Sequence, residues 1–324
     1  MLMKPTYKFS IVSAVYNTAE YLEEMIQSVI NQDIGFEENV QLILVNDGSS
    51  DGSAEICKSY QKKYPKNIKY VGKEHGGVSH TRNQGIQLIQ GWLVNFLDSD
   101  DKLEKDALSK VWIFYQKHKT EIDVVAIPIY LFEGEEGEHI LNDKFFRDRV
   151  IKIQEEPSSI LLSSSSSFIN RAALEGHKFD ETLQYAEDAK LLAEVILHKG
   201  TYGVVSSTKY WYRKRKGCTS AVQNGHRKKE WYLDYIKNFS LQLLQGDIKE
   251  EFRAYIRYLV MYDLQWRINS LEKAKTILTI KELREYIHLL SKVLKYIDSK
   301  CILNQKYISI KRKLLVIILK YSFL

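Results

Sequence analysis

The sequence predicts an α/β fold: a mostly parallel sheet flanked by helices, followed by an all-helical C-terminal region. Three observations carry this. Strand-like and helix-like segments alternate through the first hundred residues, the pattern of βαβ units. Runs such as "VQLILV" (40–45) and "WLVNFL" (92–97) read as buried strands that stop at polar turns. Beyond residue 227 only helical spacings remain, so the chain divides into 1–224 and a helical extension, 225–324.

Taken in order, "KFSIVSAVYN" (8–17) is β-rich and ends on a polar pair. Leu22, Met25, Ile26, Val29 and Ile30 recur at helical spacing over 18–32, with Thr18 as N-cap. A strand over 40–47 runs into the turn "DGSSDGS", and 53–64 reads as a helix. A short strand from 68 ends in Gly76-Gly77, a helix spans 78–91, and a strand spans 92–98. Then come a helix (102–118), a strand (123–134), an amphipathic helix within 179–200 and further strand within 202–215. Ser163–Ser167 reads as low complexity, too short for a linker. Tyr258, Tyr262 and Trp266 share a helix face and read as core.

In an open parallel sheet, ligands sit at the carboxyl ends of the strands. Those ends hold Tyr16 and Asn17; Asn46, Asp47 and Gly48; His75, Gly76 and Gly77, with Arg82 in the next helix; and Asp98, Ser99, Asp100 and Asp101. Neither GxxxxGK[ST] nor GxGxxG is present, so there is no P-loop or dinucleotide fingerprint. Crowded aspartates after an apolar run need a positive partner. Hard cations such as Mg²⁺ or Mn²⁺ bind one or two carboxylates and complete their shell with phosphates and water. The set suits a nucleoside diphosphate held by such a cation. Asp47 can accept from a base N–H, Tyr16 can lie against the base, and Arg82 can meet phosphate or base. One carboxylate of the Asp98–Asp101 group can face the metal and another the ribose. Transfer in one displacement also needs a general base. Glu187-Asp188 at a predicted helix start can provide it, because the helix N-terminus favours the ionised carboxylate. Arg213 or Arg215, with Thr219 and Ser220, can meet the departing diphosphate.

In this order and spacing, "FSIVSAVYNTAEYLEEMIQSVINQ", "LILVNDGSSDGS", "GGVSHTRNQGI", "VNFLDSDD" and "YAEDAKLLAEVI" resemble family 2 glycosyltransferases of the GT-A (Rossmann-like) fold. The resemblance covers about the first 225 residues. It implies an inverting transfer from a nucleotide sugar, usually a UDP-sugar, with a divalent metal at the diphosphate. It makes Asp47 the base-reading acid, Asp98-Ser99-Asp100 the DXD-type motif, Asp100 and Asp101 the contacts to metal and ribose, and Asp188 the catalytic base beside Glu187. Tyr16, Asn17, Arg82, Asp98, Arg213 and Arg215 join the donor site. The teichoic-acid, capsule and cell-surface polysaccharide branches are the similar ones, with a glycan, wall-polymer or lipid-linked acceptor. Three departures stand out. Ala14-Val15 precedes Tyr16-Asn17 where relatives often have Pro, Asn46 replaces the first acid of the usual Asp-Asp, and Lys214-Arg215 stand where many relatives have a His.

The net charge of +6 is unevenly spread. Residues 225–324 hold 20 Lys and Arg against 10 Asp and Glu, a balance of +10 that leaves the front part at −4. Such a half suits an anionic polymer or membrane face, or is a solvated helical surface. The terminal "KRKLLVIILKY" reads as an interfacial helix, a core helix or the start of something further. Three scattered cysteines make no disulfide framework, and no signal-peptide pattern or 18-residue apolar run occurs, which points to a cytoplasmic protein, peripheral on the inner face of the plasma membrane if the tail binds there. No nucleic-acid partner is implied, and a homo-oligomer stays open. Two other classes compete: a non-catalytic binding or scaffold module on the same fold, which predicts lost carboxylates, and a nucleotidyltransferase, which predicts a Gly-rich basic loop where "AVYNTAEY" stands.

Overall fold

The computed structural model describes residues 5–215 and 225–321. The chain forms two units. The first comprises 1–152, 163–181 and 194–214; the second comprises 153–162, 182–193 and 215–324. The chain therefore enters the second unit twice before its C-terminal stretch, which no composition shift in the sequence announces.

In the first unit, β1 (Tyr7–Val15), β2 (Val40–Asp47), β3 (Ile68–Lys73) and β4 (Gly91–Phe96) are parallel, in the order β3-β2-β1-β4. The sheet continues through β10 (Ser167–Asn170), β6 (Val124–Ala126), β11 (Thr201–Val204) and β9 (Arg149–Lys152); β10 and β9 run antiparallel to their neighbours. Every residue of β2 is buried, because helices cover both faces of a sheet made by βαβ crossovers. The helices are α1 (Ala19–Ile30), α2 (Phe36–Asn39), α3 (Ser53–Lys63), α4 (Val78–Ile86) and α5 (Ala107–His118); α6 (Glu187–Lys199) begins in the second unit and ends in the first. α1 buries Leu22, Met25, Ile26 and Val29, four of the five positions its spacing picked out.

Three local readings change. The predicted strand over 123–134 is two strands, β6 and β7 (Ile129–Glu133). Pro128 separates them: it has no N–H for a ladder, while its carbonyl accepts from Tyr210 N. The chain there leaves the large sheet for a second one, ordered β5 (Lys102–Leu103), β12 (Tyr210–Lys214), β7 and β8 (Gly137–Glu138). The predicted helix over 102–118 thus begins with β5 and becomes helical only at Ala107. Thr18 is the N-cap residue of α1, but its hydroxyl goes to Ser99 Oγ at 3.1 Å; Asp51 instead accepts from Ala19 N at 3.0 Å.

The second unit is helical from Arg253–Asn269 through Leu271–Ile277, Ile280–Tyr296 and Ser299–Leu303 to Ile310–Tyr321. A Thr279/Glu282 capping box starts the helix at Ile280. Its core is rich in tyrosine: Tyr232, Tyr235, Tyr255 and Tyr286 are all buried. Tyr255 OH accepts from Leu161 N at 3.2 Å, tying the early 153–162 segment to the late helices.

Candidate active site

The sheet order brings the carboxyl ends of β1, β2, β3 and β4 side by side. At the end of β1, Tyr16 stacks on His75, with ring centroids 4.4 Å apart. Asn17 adopts φ 50°, a left-handed conformation that Asn tolerates better than most residues. Its Oδ1 accepts from Ser50 N at 2.8 Å, and Ser49 Oγ lies 3.1 Å from its N–H. The two loops are stitched together, which is why "DGSSDGS" is more than a turn.

Asp47 is buried at the end of β2. Its carboxylate accepts from Gly76 N at 2.8 Å and Gly77 N at 2.9 Å, is paired with Lys73, and lies 3.0 Å from His75 Nδ1. Burial pushes its pKa up, but the bonds from Lys73, Gly76 and Gly77 outweigh that and hold it below the ordinary carboxylate value. Gly77, at φ 88°, lets the backbone turn its N–H toward Asp47. An acid expected to read a base is therefore already committed to shaping the 73–77 turn. A base N–H would have to replace one of these contacts, and His75, the most exposed of them, is the easiest to displace. Because Asp47's folded pKa lies below 3.8, its contribution to stability is complete above that value and fades as pH falls through the folded one. Wild type should lose more stability than Asp47→Asn on acidification below about pH 4; parallel acid denaturation curves would refute this.

The group after β4 is divided by its surroundings. Asp98 Oδ1 accepts from Arg82 Nη2 at 2.8 Å, and Oδ2 from Ser165 Oγ at 2.9 Å. Arg82 is itself buried and lies over the Phe179 ring. The positive partner of Asp98 is thus Arg82, which was expected to meet phosphate or base. Asp101 is 1% exposed, with Oδ1 accepting from Arg213 N at 2.7 Å and Oδ2 from the Tyr210 hydroxyl. Burial, then the charges of Asp100 and Asp98, push its pKa well above the usual range. This corrects the expectation that Asp101 touches metal or ribose: it is an enclosed anchor for β12. Asp98 and Asp100 are both half-buried, in contrast to enclosed Asp101.

Arg213 also departs from expectation. It is 8% exposed, and its guanidinium pairs with both Glu24 and Glu133, while Nε donates to the Asp100 carbonyl at 2.7 Å. It lies over the Tyr21 and Phe132 rings. Burial alone would lower its pKa, but the two carboxylates raise it. With every nitrogen engaged, Arg213 holds the Asp100–Asp101 turn rather than reaching a donor phosphate. Arg215 and the pair Glu187-Asp188 belong to the second unit. Glu187 and Asp188 open α6 directly after Ala186, which has φ 64°. Left-handed backbone at a non-glycine residue costs about 1–3 kcal/mol and gathers at functional sites. Thr219 and Ser220 lie outside the described residues.

Sequence reasoning missed Ser165, Lys73, Glu24, Glu133 and Tyr210. The serine run offered a hint. Ser164–Ser167 are buried, and Asn95 Nδ2 donates to the carbonyls of Ser165 and Ser167 at 2.7 and 2.9 Å. Small hydroxyl residues let β10 approach β4 and turn one oxygen to Asp98. The acids Glu24 and Glu133 carried no pattern, since their partner comes from a strand 80 or more residues away.

Residues 10–177 match the family described as "Glycosyl transferase family 2". The minor teichoic acid biosynthesis protein GgaB of Bacillus subtilis is 42% identical over 305 residues, which are 94% of this chain and 34% of that protein. GgaA of the same organism is 34% identical over 305 residues, covering 92% of this chain and 68% of its own. The chain thus spans about a third of GgaB and about two thirds of GgaA. Among solved structures, S. aureus TarS 1-349 in complex with UDP-GlcNAc superposes with a TM-score of 0.73 at 21% identity, covering 97% of this chain and 87% of that one. The architecture is that of the GT-A fold, and the chain belongs to glycosyltransferase family 2.

Proposed function

We propose that this chain is a metal-dependent, inverting glycosyltransferase that moves a sugar from a UDP-sugar to a hydroxyl of a wall polymer of the teichoic-acid type, or of its lipid-linked precursor. It would act in the cytoplasm. The observation that carries this is the β4 end. Arg82 and Ser165 clamp Asp98, Tyr210 and the Arg213 backbone seat Asp101, and Asp100 is thereby held rigidly at the strand end where nucleotides bind. The family membership and the names of GgaA and GgaB support the donor chemistry and the acceptor class. TarS, named a poly(ribitol-phosphate) β-N-acetylglucosaminyltransferase and solved with UDP-GlcNAc, supports the nucleotide.

Among the described residues, no three His, Cys, Asp or Glu gather into a metal site. A single carboxylate, Asp100, beside a diphosphate fits the way Mg²⁺ or Mn²⁺ is held in nucleotide sites, where phosphate and water complete the shell. The negative field that raises Asp101 is the kind such a cation offsets. When bound, the cation would neutralise charge building on the leaving diphosphate. Asp98, fixed by Arg82, would accept from a ribose hydroxyl. Tyr16 would stack on the base in His75's place, and the 75–77 turn held by Asp47 would border it. In the second unit, Asp188 would take the proton of the acceptor hydroxyl as its oxygen bonds to the anomeric carbon and the bond to the diphosphate breaks. Glu187 precedes it at the start of α6.

The test is a donor panel of UDP-, GDP-, CDP- and dTDP-sugars with Mn²⁺ or Mg²⁺, scored for nucleotide release and for transfer to a polyol-phosphate polymer. Release from a UDP-sugar, lost with chelator and with Asp100→Asn, is expected. No binding or release with any donor would sink the reading and favour a non-catalytic module.

A further inference from the structure

We infer that an open cleft on the small sheet is a second glycan site, which holds a neutral sugar residue by stacking it on Trp211. The inference rests on the transfer reading only for the role of that glycan as acceptor; the binding itself is separate from the reaction. The cleft has a volume of about 430 Å³, within the usual range for small-molecule sites, and lies wholly in the first unit. Asn31 at the end of α1, Lys102, Glu104, Lys105, Phe132 and Trp211 line it. Strand register explains why the rings meet. Trp211 of β12 pairs with Lys102 of β5 on one side and Tyr130 of β7 on the other, and Tyr130 pairs with Glu138 of β8. Residues two apart share a sheet face, so Arg213 and Phe132 form the next row on that face. Trp211 is fixed in place: its Nε1 donates to Glu104 Oε2 at 3.0 Å, and its ring centroid lies 5.9 Å from Tyr130 and 6.3 Å from Phe132. Lys209 lies over the Tyr130 and Trp211 rings but does not line the cleft, so the half-buried indole keeps a surface toward it.

The groups around the indole select the ligand class. Lys102 bonds to Glu24, Glu104 accepts from the indole, and Glu138 accepts from the Tyr130 hydroxyl at 2.8 Å. Lys105 is exposed, and exposed Asp33 stands beside it, its N–H donating to the Lys105 carbonyl at 3.0 Å. Both signs of charge thus surround the cleft, which exerts no net pull on an anionic polymer or membrane. Lysine and glutamate are depleted at the cores of protein interfaces, so the lining does not suit a protein partner either. A neutral sugar fits both parts of it. Its C–H face packs on an aromatic face through dispersion and weak C–H contacts. Its hydroxyls both donate and accept, matching ammonium, amide and carboxylate side chains together. Position gives the site a role. Arg213, two residues beyond Trp211 on the same face, holds the Asp100–Asp101 turn. A glycan whose end reaches the donor would gain a second hold nearby, through its sugar units rather than its phosphates.

The experiment titrates the full chain, labelled with ¹⁵N-tryptophan and without donor, with maltotetraose, cellotetraose and chitotetraose. At least one should bind at millimolar concentration, with little dependence on salt, and should shift the Trp211 indole resonance, assigned by its loss in Trp211→Phe. Trp211→Leu should weaken binding about tenfold or more, because the stacking surface is gone. Its circular dichroism and its UDP binding should match wild type, which separates failure of this site from failure of the transfer reading. Excess UDP should leave the bound oligosaccharide in place. Binding by none of the three, an unmoved Trp211 resonance, wild-type affinity in folded Trp211→Leu, or displacement by UDP overturns the inference. So does a concentration-dependent dimer in sedimentation velocity that Trp211→Leu abolishes, since the cleft would then receive a second copy of the chain.

Discussion

Asp188→Asn should leave UDP-sugar binding near the wild-type level and lower turnover by about 10²–10⁴-fold, the usual contribution of a positioned general base. Asparagine keeps the shape of the side chain at the start of α6 but cannot act as the base. Calorimetry of donor binding beside single-turnover transfer tests both halves. A fall in donor affinity with unchanged chemistry would make Asp188 a donor contact. Normal turnover would remove it from the mechanism. Glu187→Gln should lower turnover less than Asp188→Asn, because Asp188 is the acid proposed to take the acceptor proton.

Arg213→Met should cost about 2–4 kcal/mol of stability and weaken donor binding, although Arg213 touches no donor in the scheme above. Removing the guanidinium leaves Glu24 and Glu133 facing one another and frees the Asp100 carbonyl. The two carboxylates are 45% and 34% exposed, so water recovers part of the loss and the cost falls below that of a fully buried pair. Chemical denaturation gives the stability. Pairing Arg213→Met with Glu24→Gln and Glu133→Gln should restore part of it, since the repulsion then disappears. If Arg213→Met were as stable as wild type but blind to donor, the arginine would be a phosphate ligand after all.

The contrast between Asp100 and Asp101 shows how far the sequence could be read. A strand ending in crowded acids, in a βαβ pattern, picks out the candidate site from local information alone. What each acid touches is set by residues on other elements: Arg82, Ser165, Tyr210 and Arg213 each reach them through tertiary structure. Periodicity likewise gave α1 and the long helices, whose buried faces repeat every three to four residues. It could not give β5 or the break at Pro128, because strands of two or three residues have no period to detect. The same limit hid the role of the serine run, whose burial follows from the strand it meets.

The path of the chain between its two units carries an implication for inheritance and assembly. Asp47, Asp98, Asp100 and Asp101 lie in the first unit, whereas 153–162 and the stretch holding Asp188 belong to the second. Tyr255 secures Leu161, and Trp231 meets Tyr185 edge-on, 4.9 Å between ring centroids. A ribosome therefore finishes the 153–162 and 182–193 segments long before it makes the rings that pack them, so those segments can mature only after the late helices emerge. Recombination that exchanged the C-terminal third between relatives would separate Leu161 and Tyr185 from their own packing partners. The helical region is then better regarded as inherited together with the 153–162 and 182–193 segments than as an appendage free to be traded.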